Sequence, residues 1–268
     1  FQIERVFGVN LKTSISTVNV NASYLVLDSD NGYGSLNTPG GGIATPDNNR
    51  IAAYGAGLDF NLAGLKIEGS FNKTDLLQNG DRVNSGDNTA FNAKIGYNRE
   101  NFGIYGGYRQ VEALFVAPGD WGRLGLLRNP TNIRGFQVGG FINLGSSLTL
   151  NASGEFNRGL SDLYPNTVLD EDSEVNNVNV GLNFKLSRSV GIMLGYEQTD
   201  FRDLTLGLPN ARYRFYTAGV AYGLSDAAKL GIQYQVSDIE NDFLIAPGLG
   251  LGARNRGGFL SSTLSVKF

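Results

Sequence analysis

The final stretch of the chain, Leu260-Ser-Ser-Thr-Leu-Ser-Val-Lys-Phe268, shows the pattern that decides the fold. Apolar side chains occupy one parity of this stretch: Leu260, Leu264, Val266 and Phe268. Polar side chains occupy the other parity: Ser261, Thr263, Ser265 and Lys267. Because successive side chains of a β-strand point to opposite faces, the stretch predicts a strand with one apolar and one polar face. An ordinary edge strand has the same pattern, so the earlier chain must decide between the alternatives.

The same alternation recurs upstream and predicts about thirteen strands in all. Residues 17–26, 52–60, 148–156 and 230–236 are clear examples. The first of these is longer than the ~5–6 residues that are usual for strands of soluble sheets.

The connections between the predicted strands differ in length in a regular way. Tight turns alternate with loops of roughly 10 to 20 residues, which are rich in Gly, Asn, Asp and Pro. Aromatic residues cluster beside the tight turns (Phe60, Tyr97, Phe102, Phe184, Tyr222 and Phe268) and near the long loops (Phe71, Phe91, Tyr108, Phe156 and Tyr196). The pattern predicts an all-β fold, an antiparallel transmembrane β-barrel with short periplasmic turns, long extracellular loops and two aromatic girdles.

Composition excludes several classes of function. The 268 residues include no Cys and no His, so a disulfide scaffold, a Ser-His-Asp triad and a histidine zinc site are all excluded. An enzyme is therefore disfavoured, and no cofactor is predicted. The formal charge of −3 and the lack of a basic stripe disfavour nucleic acid as a partner.

With the alternation repeated along the chain, the last strand resembles the C-terminal assembly signal of bacterial outer-membrane β-barrels. Leu264, Val266 and Phe268 carry this resemblance. It implies a location in the bacterial outer membrane, contact with outer-membrane lipid and recognition by the barrel-assembly machinery.

The strand count predicts that the barrel is larger than this chain. If the last strand ends on the periplasmic side, an odd number of strands places Phe1 at the outer rim. Closed single-chain barrels usually have an even number of strands. Residues 1–268 are therefore predicted to form a single unit, the C-terminal part of a longer chain, with one missed strand as the alternative.

In one predicted strand, charged residues occupy the same face as the apolar residues. Arg212 and Arg214 share their parity with Val220 and Tyr222. A charge facing lipid costs about 2–4 kcal/mol at the midplane of the membrane and little near its surface. We therefore expect both Arg residues at the rim, with a β-bulge that resets the parity as the alternative.

The most individual loop is Ala117-Pro-Gly-Asp-Trp-Gly-Arg-Leu-Gly125, which continues to Asn129-Pro-Thr-Asn-Ile133. It contains the only Trp, Trp121, and two of the seven Pro residues. Trp121 with Arg123, Arg128 and Arg134 is predicted to fold inward and narrow a lumen through a ring of charge. A packed surface loop, with Trp121 as its small core, is the alternative.

This loop, the repeated strands rich in Gly and Asn, and Phe268 are similar to the large barrels of Deinococcus–Thermus type envelopes, which carry S-layer-homology domains. The resemblance implies a homotrimeric barrel that links the outer membrane to the cell wall and lets solutes through. The wall-binding and coiled-coil regions of that family have no counterpart in these residues, so contact with the cell wall would need sequence not present here.

Two acidic loops are candidates for a structural Ca²⁺ site. They provide Asp28 and Asp30 in one loop, and Asp170 and Asp172 in the other. Carboxylate oxygens are the ligands that Ca²⁺ prefers, although the first loop has Gly32 where an EF-hand has a further ligand. Solvated loop charge is the alternative for both.

The leading hypothesis for function is a passive diffusion porin for small hydrophilic solutes and a structural component of the envelope. The polar parity favours a water-filled interior, with Asn177, Asn179, Asn183, Lys185, Gln233 and Gln235 predicted to point inward. A plugged barrel that only anchors the envelope is the alternative, and a barrel enzyme comes third.

Overall fold

The computed structural model describes residues 5–28, 50–78, 81–82, 86–117, 122–125, 127–162, 169–204, 208–225, 227–242 and 254–266. The strands are β1 (Arg5–Ile15), β2 (Val18–Asp28), β3 (Arg50–Leu62), β4 (Leu65–Gln78), β5 (Asp81–Arg82), β6 (Thr89–Asn98), β7 (Phe102–Val111), β8 (Arg123–Leu124), β9 (Leu127–Arg128), β10 (Ile133–Leu144), β11 (Leu148–Gly159), β12 (Glu174–Lys185), β13 (Val190–Arg202), β14 (Ala211–Gly223), β15 (Ala228–Glu240) and β16 (Arg254–Val266). Within these ranges no helix is long and apolar enough to cross a membrane.

The long strands form one antiparallel sheet in which each strand pairs with its neighbours along the chain. Its order is β1-β2-β3-β4-β6-β7-β10-β11-β12-β13-β14-β15-β16. Strand β5 pairs antiparallel with the end of β4, and among the described residues β8 pairs only with β9 as a separate hairpin. The all-β antiparallel fold and the number of long strands predicted from the alternation are both confirmed.

Short and long connections alternate along the sheet, as the sequence predicts. Ser16 and Thr17 join β1 to β2, whereas residues 29–49 join β2 to β3. Ser16 (φ 58°) and Ala63 (φ 51°) adopt the left-handed conformation that tight hairpin turns require. All tight turns lie at one end of the strands, which we call the turn end, and all long connections lie at the other, the loop end.

The register gives the sheet one apolar face and one polar face. One row across neighbouring strands is apolar throughout and consists of Ile142, Leu150, Leu182, Leu194, Ala218, Tyr234 and Leu260. A row on the opposite face consists of Thr149, Asn183, Met193, Gly219, Gln233 and Ser261. The apolar side chains of the first row are largely exposed, with Leu194 at 48% and Leu260 at 67%, so in water this face would remain uncovered.

Among the described residues, β1 and β16 each pair with only one other strand. Because the sheet path has thirteen antiparallel strands, these two edge strands run in the same direction. Their outer backbone N–H and C=O groups have no strand partner, and such groups are costly in hydrocarbon.

Candidate functional site

The polar face curls around an open space. A cavity of about 670 Å³ is lined by residues from β1 through β10, including Asn10, Asn72, Asn92 and Gln137. A second cavity of about 720 Å³ adjoins the first towards the turn end. Asn72, Asn92 and Gln137 line both cavities. The amide of Gln137 on β10 donates a hydrogen bond to Asn92 Oδ1 on β6 at 3.0 Å, so polar side chains of the two strands that flank β7 are linked across the cavity lining.

Some charged side chains on the polar face are paired with one another. Lys66 Nζ lies 2.5 Å from Glu68 Oε1 and 3.7 Å from Asp59 Oδ2. The guanidinium of Arg109 donates to Glu155 Oε2 at 2.8 Å. These pairs keep charge on the cavity lining in an arrangement that water and small polar solutes can solvate.

The polar face becomes apolar at its loop end. Strand residues of this face form the larger part of a buried apolar cluster: Ala90, Val111, Ile133, Val175, Phe201, Ala211, Tyr213, Phe215 and Ile239. Residues of three long connections form the rest of this cluster: Phe115, Leu124, Leu127, Leu169 and Leu204. The rings of Phe201 and Tyr213 meet edge to face at 5.4 Å, and neither side chain is exposed. These three connections therefore fold onto the polar face.

The β8–β9 hairpin packs closely against the polar face in this way. Leu124 is fully buried and Leu127 is 7% exposed, both within the cluster. Gly125 has φ +57°, and a Cβ atom there would lie 2.5 Å from Thr199 Oγ1 of β13. Gly122 has φ +133°, and a Cβ atom there would lie 2.8 Å from Arg109 Nη1. The two glycines let the hairpin rest directly against the sheet.

Asn132 holds the end of the same connection in place. Its side-chain nitrogen donates to the backbone oxygen of Leu169 at 2.6 Å and to that of Ser161 at 2.9 Å. Both acceptors belong to the connection between β11 and β12, so the two connections are fixed to each other.

Of the four residues that were predicted to narrow a lumen, the structure places Arg134 apart from Arg123 and Arg128. Arg123 and Arg128 are exposed and face each other across the hairpin. Arg134 lies on the apolar face, in register with Gln110 and Arg158, and is therefore not placed to line the cavity. Trp121 lies outside the described residues. A narrowing role for Arg123 and Arg128 stays a prediction.

Two of the four residues proposed for Ca²⁺, Asp28 and Asp170, have hydrogen-bond partners within the protein. Asp28 accepts a hydrogen bond from Arg50 Nε at 2.5 Å across the β2–β3 pair. Asp170 Oδ1 accepts from the backbone nitrogen and hydroxyl of Ser173 at 3.0 and 2.8 Å. Asp172 is exposed, and Asp30 lies outside the described residues. Across the described ranges no group of three or more His, Cys, Asp or Glu side chains could hold a metal ion.

The sequence-predicted lipid-facing residues lie on the apolar face. Leu264 pairs with Leu230 and is 60% exposed, and Val266 pairs with Ala228 and is 48% exposed. Phe268 lies outside the described residues. Arg212 and Arg214 also belong to this face, in a register that runs without a bulge from Ala211 to Gly223.

The surroundings of these two Arg residues agree with the predicted position at the rim. They sit on the loop-end side of the tyrosine pair Tyr196 and Tyr216, whose rings are 5.2 Å apart. Arg212 pairs with Asp200, and Arg214 Nη1 lies 3.0 Å from Glu240 Oε1. Ion pairs beyond the aromatic residues fit the surface of a membrane slab.

Solved structures of bacterial outer-membrane proteins share this architecture over nearly the whole chain. A bacterial polysaccharide outer membrane secretin matches with a TM-score of 0.57 and 8% identity, covering 98% of this chain and 78% of its own. OccAB2 of Acinetobacter baumannii matches at 0.56 and 11% identity, covering 96% and 67%. The outer membrane channel DcaP of Acinetobacter baumannii matches at 0.52 and 11% identity, covering 98% and 85%. The chain has the fold of bacterial outer-membrane β-barrels.

In this barrel fold the apolar face meets lipid and the polar face lines the lumen. The transmembrane β-barrel predicted from the sequence is confirmed, although the sheet is not closed within the described residues. A location in the bacterial outer membrane agrees with the fold. No protein-family model and no curated protein matches the sequence, so the similarity to the S-layer-homology barrels stays a prediction.

Proposed function

We propose that the barrel is a passive diffusion channel for small hydrophilic solutes. The observation that supports this most directly is the polar lumen face, where Asn, Ser, Thr, Gln and paired charges line adjoining cavities of about 670 and 720 Å³. A barrel that only anchors the envelope would gain stability by packing its interior with apolar side chains. Here apolar packing is confined, in the described residues, to the loop end.

The folded-in connections would narrow the channel on one side. They pack mainly against β6, β7, β10 and β12 to β15, although Val116 also packs with Ile51 of β3 and Leu76 of β4. Phe115 and Ala117 border the first cavity from the loop side. Solutes would therefore pass through the space that the two cavities outline, which is lined by residues from β1 to β10.

The charge of the lumen face predicts a preference for anions. Its described strands carry six basic and four acidic side chains: Lys12, Lys66, Lys94, Arg109, Lys185 and Lys229 against Asp59, Glu68, Glu155 and Glu197. Protein extracted from its own membrane should give stable conductance in planar bilayers, with a zero-current potential in a salt gradient that favours chloride. The Lys185→Gln and Lys229→Gln double variant should lose much of this preference and still conduct. Folded protein that shows no conductance would favour the plugged barrel.

We propose further that strands outside this chain complete the sheet. Direct pairing of β1 with β16 would be parallel, whereas an odd number of added strands allows antiparallel pairing at both edges. The intact mass of the denatured native polypeptide should then be well above 28.8 kDa. A mass near that value would mean that the barrel closes with these residues alone. Tethering to the cell wall depends on the larger mass, and the homotrimer and the role of the assembly machinery stay predictions.

We also propose that the barrel is not an enzyme. The chain has no His, which removes the general base of Ser-His-Asp chemistry. Clear turnover in lipid or peptide hydrolysis assays would contradict this proposal.

A further inference from the structure

A row of charged side chains crosses four neighbouring strands on the lipid-facing surface at the loop end. It consists of Arg134 on β10, Arg158 on β11, Glu174 on β12 and Arg202 on β13, each directly opposite the next in the register. We call these residues the arginine row. Adjacent strands are about 4.8 Å apart, so the row extends over roughly 15 Å of the barrel surface.

The arginine row lies at the level of lipid headgroups. The next outward-facing residues towards the turn end are Phe136 on β10 and Phe156 on β11, which pair with each other and are 67% and 48% exposed. Phe136 also packs against Tyr108 of β7 with ring centroids 5.4 Å apart. Aromatic residues mark the boundary between hydrocarbon and headgroups, so the Arg side chains reach into the headgroup layer.

The charges of the arginine row are not balanced. Glu174 Oε1 lies 3.4 Å from Arg158, and Glu174 Oε2 lies 4.0 Å from Arg202. Arg134 has no acidic partner among the described residues, and Arg158 stands directly opposite it. Like charges directly opposite each other on neighbouring strands are unfavourable. An anion between Arg134 and Arg158 would relieve this repulsion.

A neighbouring row shows that the imbalance is not general to the surface. Asp200, Arg212, Glu240 and Arg254 follow one another across β13 to β16 and alternate in sign. Asp238, on the same surface, also accepts hydrogen bonds from Arg254. This second row neutralises itself, whereas the arginine row has an excess of two positive charges on a chain with a formal net charge of −3.

We propose that the arginine row binds the phosphate group of an anionic lipid in the outer leaflet. A guanidinium offers paired N–H donors that match phosphate oxygens, and two of them on adjacent strands could hold one phosphate between them. The exposed Phe136 and Phe156 directly below provide the apolar surface for the acyl chains of the same lipid. The proposal rests on the outer-membrane location and not on an open lumen, because a plugged barrel would bind the lipid equally well.

Native mass spectrometry of the full native protein, from micelles that contain phosphatidylcholine with a minor fraction of phosphatidic acid, tests this binding. Wild-type protein should retain phosphatidic acid, and the Arg134→Gln and Arg158→Gln double variant should retain it roughly tenfold less, because each guanidinium contributes charged hydrogen bonds. Arg254→Gln is the matched control, since it removes an Arg that acidic neighbours already neutralise, and it should retain the lipid as wild type does. Arg134→Gln alone removes a side chain without an acidic partner and provides a variant whose folding should be unaffected.

Equal retention of phosphatidic acid by wild-type protein and by folded double variant would overturn the proposal. Displacement of the lipid by millimolar inorganic phosphate would also overturn it, because the row would then be a site for free phosphate. Retention that persists in phosphate and is lost with the two Arg residues would support it. Bilayer conductance of the same variants reports separately on the channel.

Discussion

Replacing Leu124 and Leu127 together by Ala is expected to release the β8–β9 hairpin and raise the conductance of the channel. The two side chains are 0% and 7% exposed, and they attach the hairpin to the apolar cluster at the loop end of the lumen. Each buried Leu→Ala change costs about 2–5 kcal/mol. Among the described residues the hairpin pairs with no strand of the long sheet, whereas the long sheet keeps its full ladder of backbone pairing. Single-channel recording of the double Ala variant and the wild-type protein, both produced in the native host, measures this change in conductance.

The matched control is Leu124→Met, which keeps the volume of the side chain and should cost less than about 1.5 kcal/mol. It should conduct as the wild-type protein does. If the double Ala variant remains folded and its conductance equals that of the control, the hairpin does not limit the passage of ions, and narrowing must arise elsewhere along the lumen.

The sheet could be predicted from the sequence because its signal is local. Period-two alternation, strand after strand, fixes which residues share a face, and the register of β10 to β16 agrees with that alternation. The inward positions of Asn177 and Gln233 follow from the same rule and are confirmed. Alternation also placed Arg212 on the same face as Val220 and Tyr222, and the register of its strand is continuous and has no bulge.

The alternation of apolar and polar residues also applies to Arg134, and it places this side chain on the lipid-facing side of β10, away from the lumen. Phe136 and Val138 belong to the apolar parity, and Arg134 precedes them by two and four residues, so its lipid-facing position can be read from the sequence. Grouping it with Arg123 and Arg128 by proximity along the chain ignored that β10 had already begun at Ile133. Parity along a strand decides direction more reliably than membership of a Gly-rich loop.

The apolar cluster at the loop end could be predicted only in part. Val175 continues the parity of Asn177, and Phe201 continues that of Thr199, so an apolar residue at the end of each polar series is visible in the sequence. The sequence does not show which residues of the long connections pack against these apolar residues. The contact of Gly125 with Thr199 joins residues far apart along the chain, and no periodicity specifies which connection packs on which strand.

Replacing Ile232 by Arg is expected to lower the free energy of unfolding of the barrel more than any other single surface substitution predicted for this protein. Ile232 is 50% exposed on the lipid-facing side of β15, opposite Val220 of β14 and between the levels of Tyr222 and Tyr234. An Arg there faces hydrocarbon, and Arg near the bilayer midplane costs about 2–4 kcal/mol in barrels. Unfolding of the native protein in lipid vesicles by denaturant should show a decrease of this size in the free energy of unfolding.

The next residue provides a control of the same chemistry. Gln233 is on the lumen face, opposite Gly219 and Ser261, where water can solvate an added charge. Gln233→Arg should therefore leave the free energy of unfolding nearly unchanged, and it should increase the preference of the channel for anions. An equal loss of stability in both variants would mean that the two faces of β15 have similar surroundings, which would contradict the assignment of lipid to one face and water to the other.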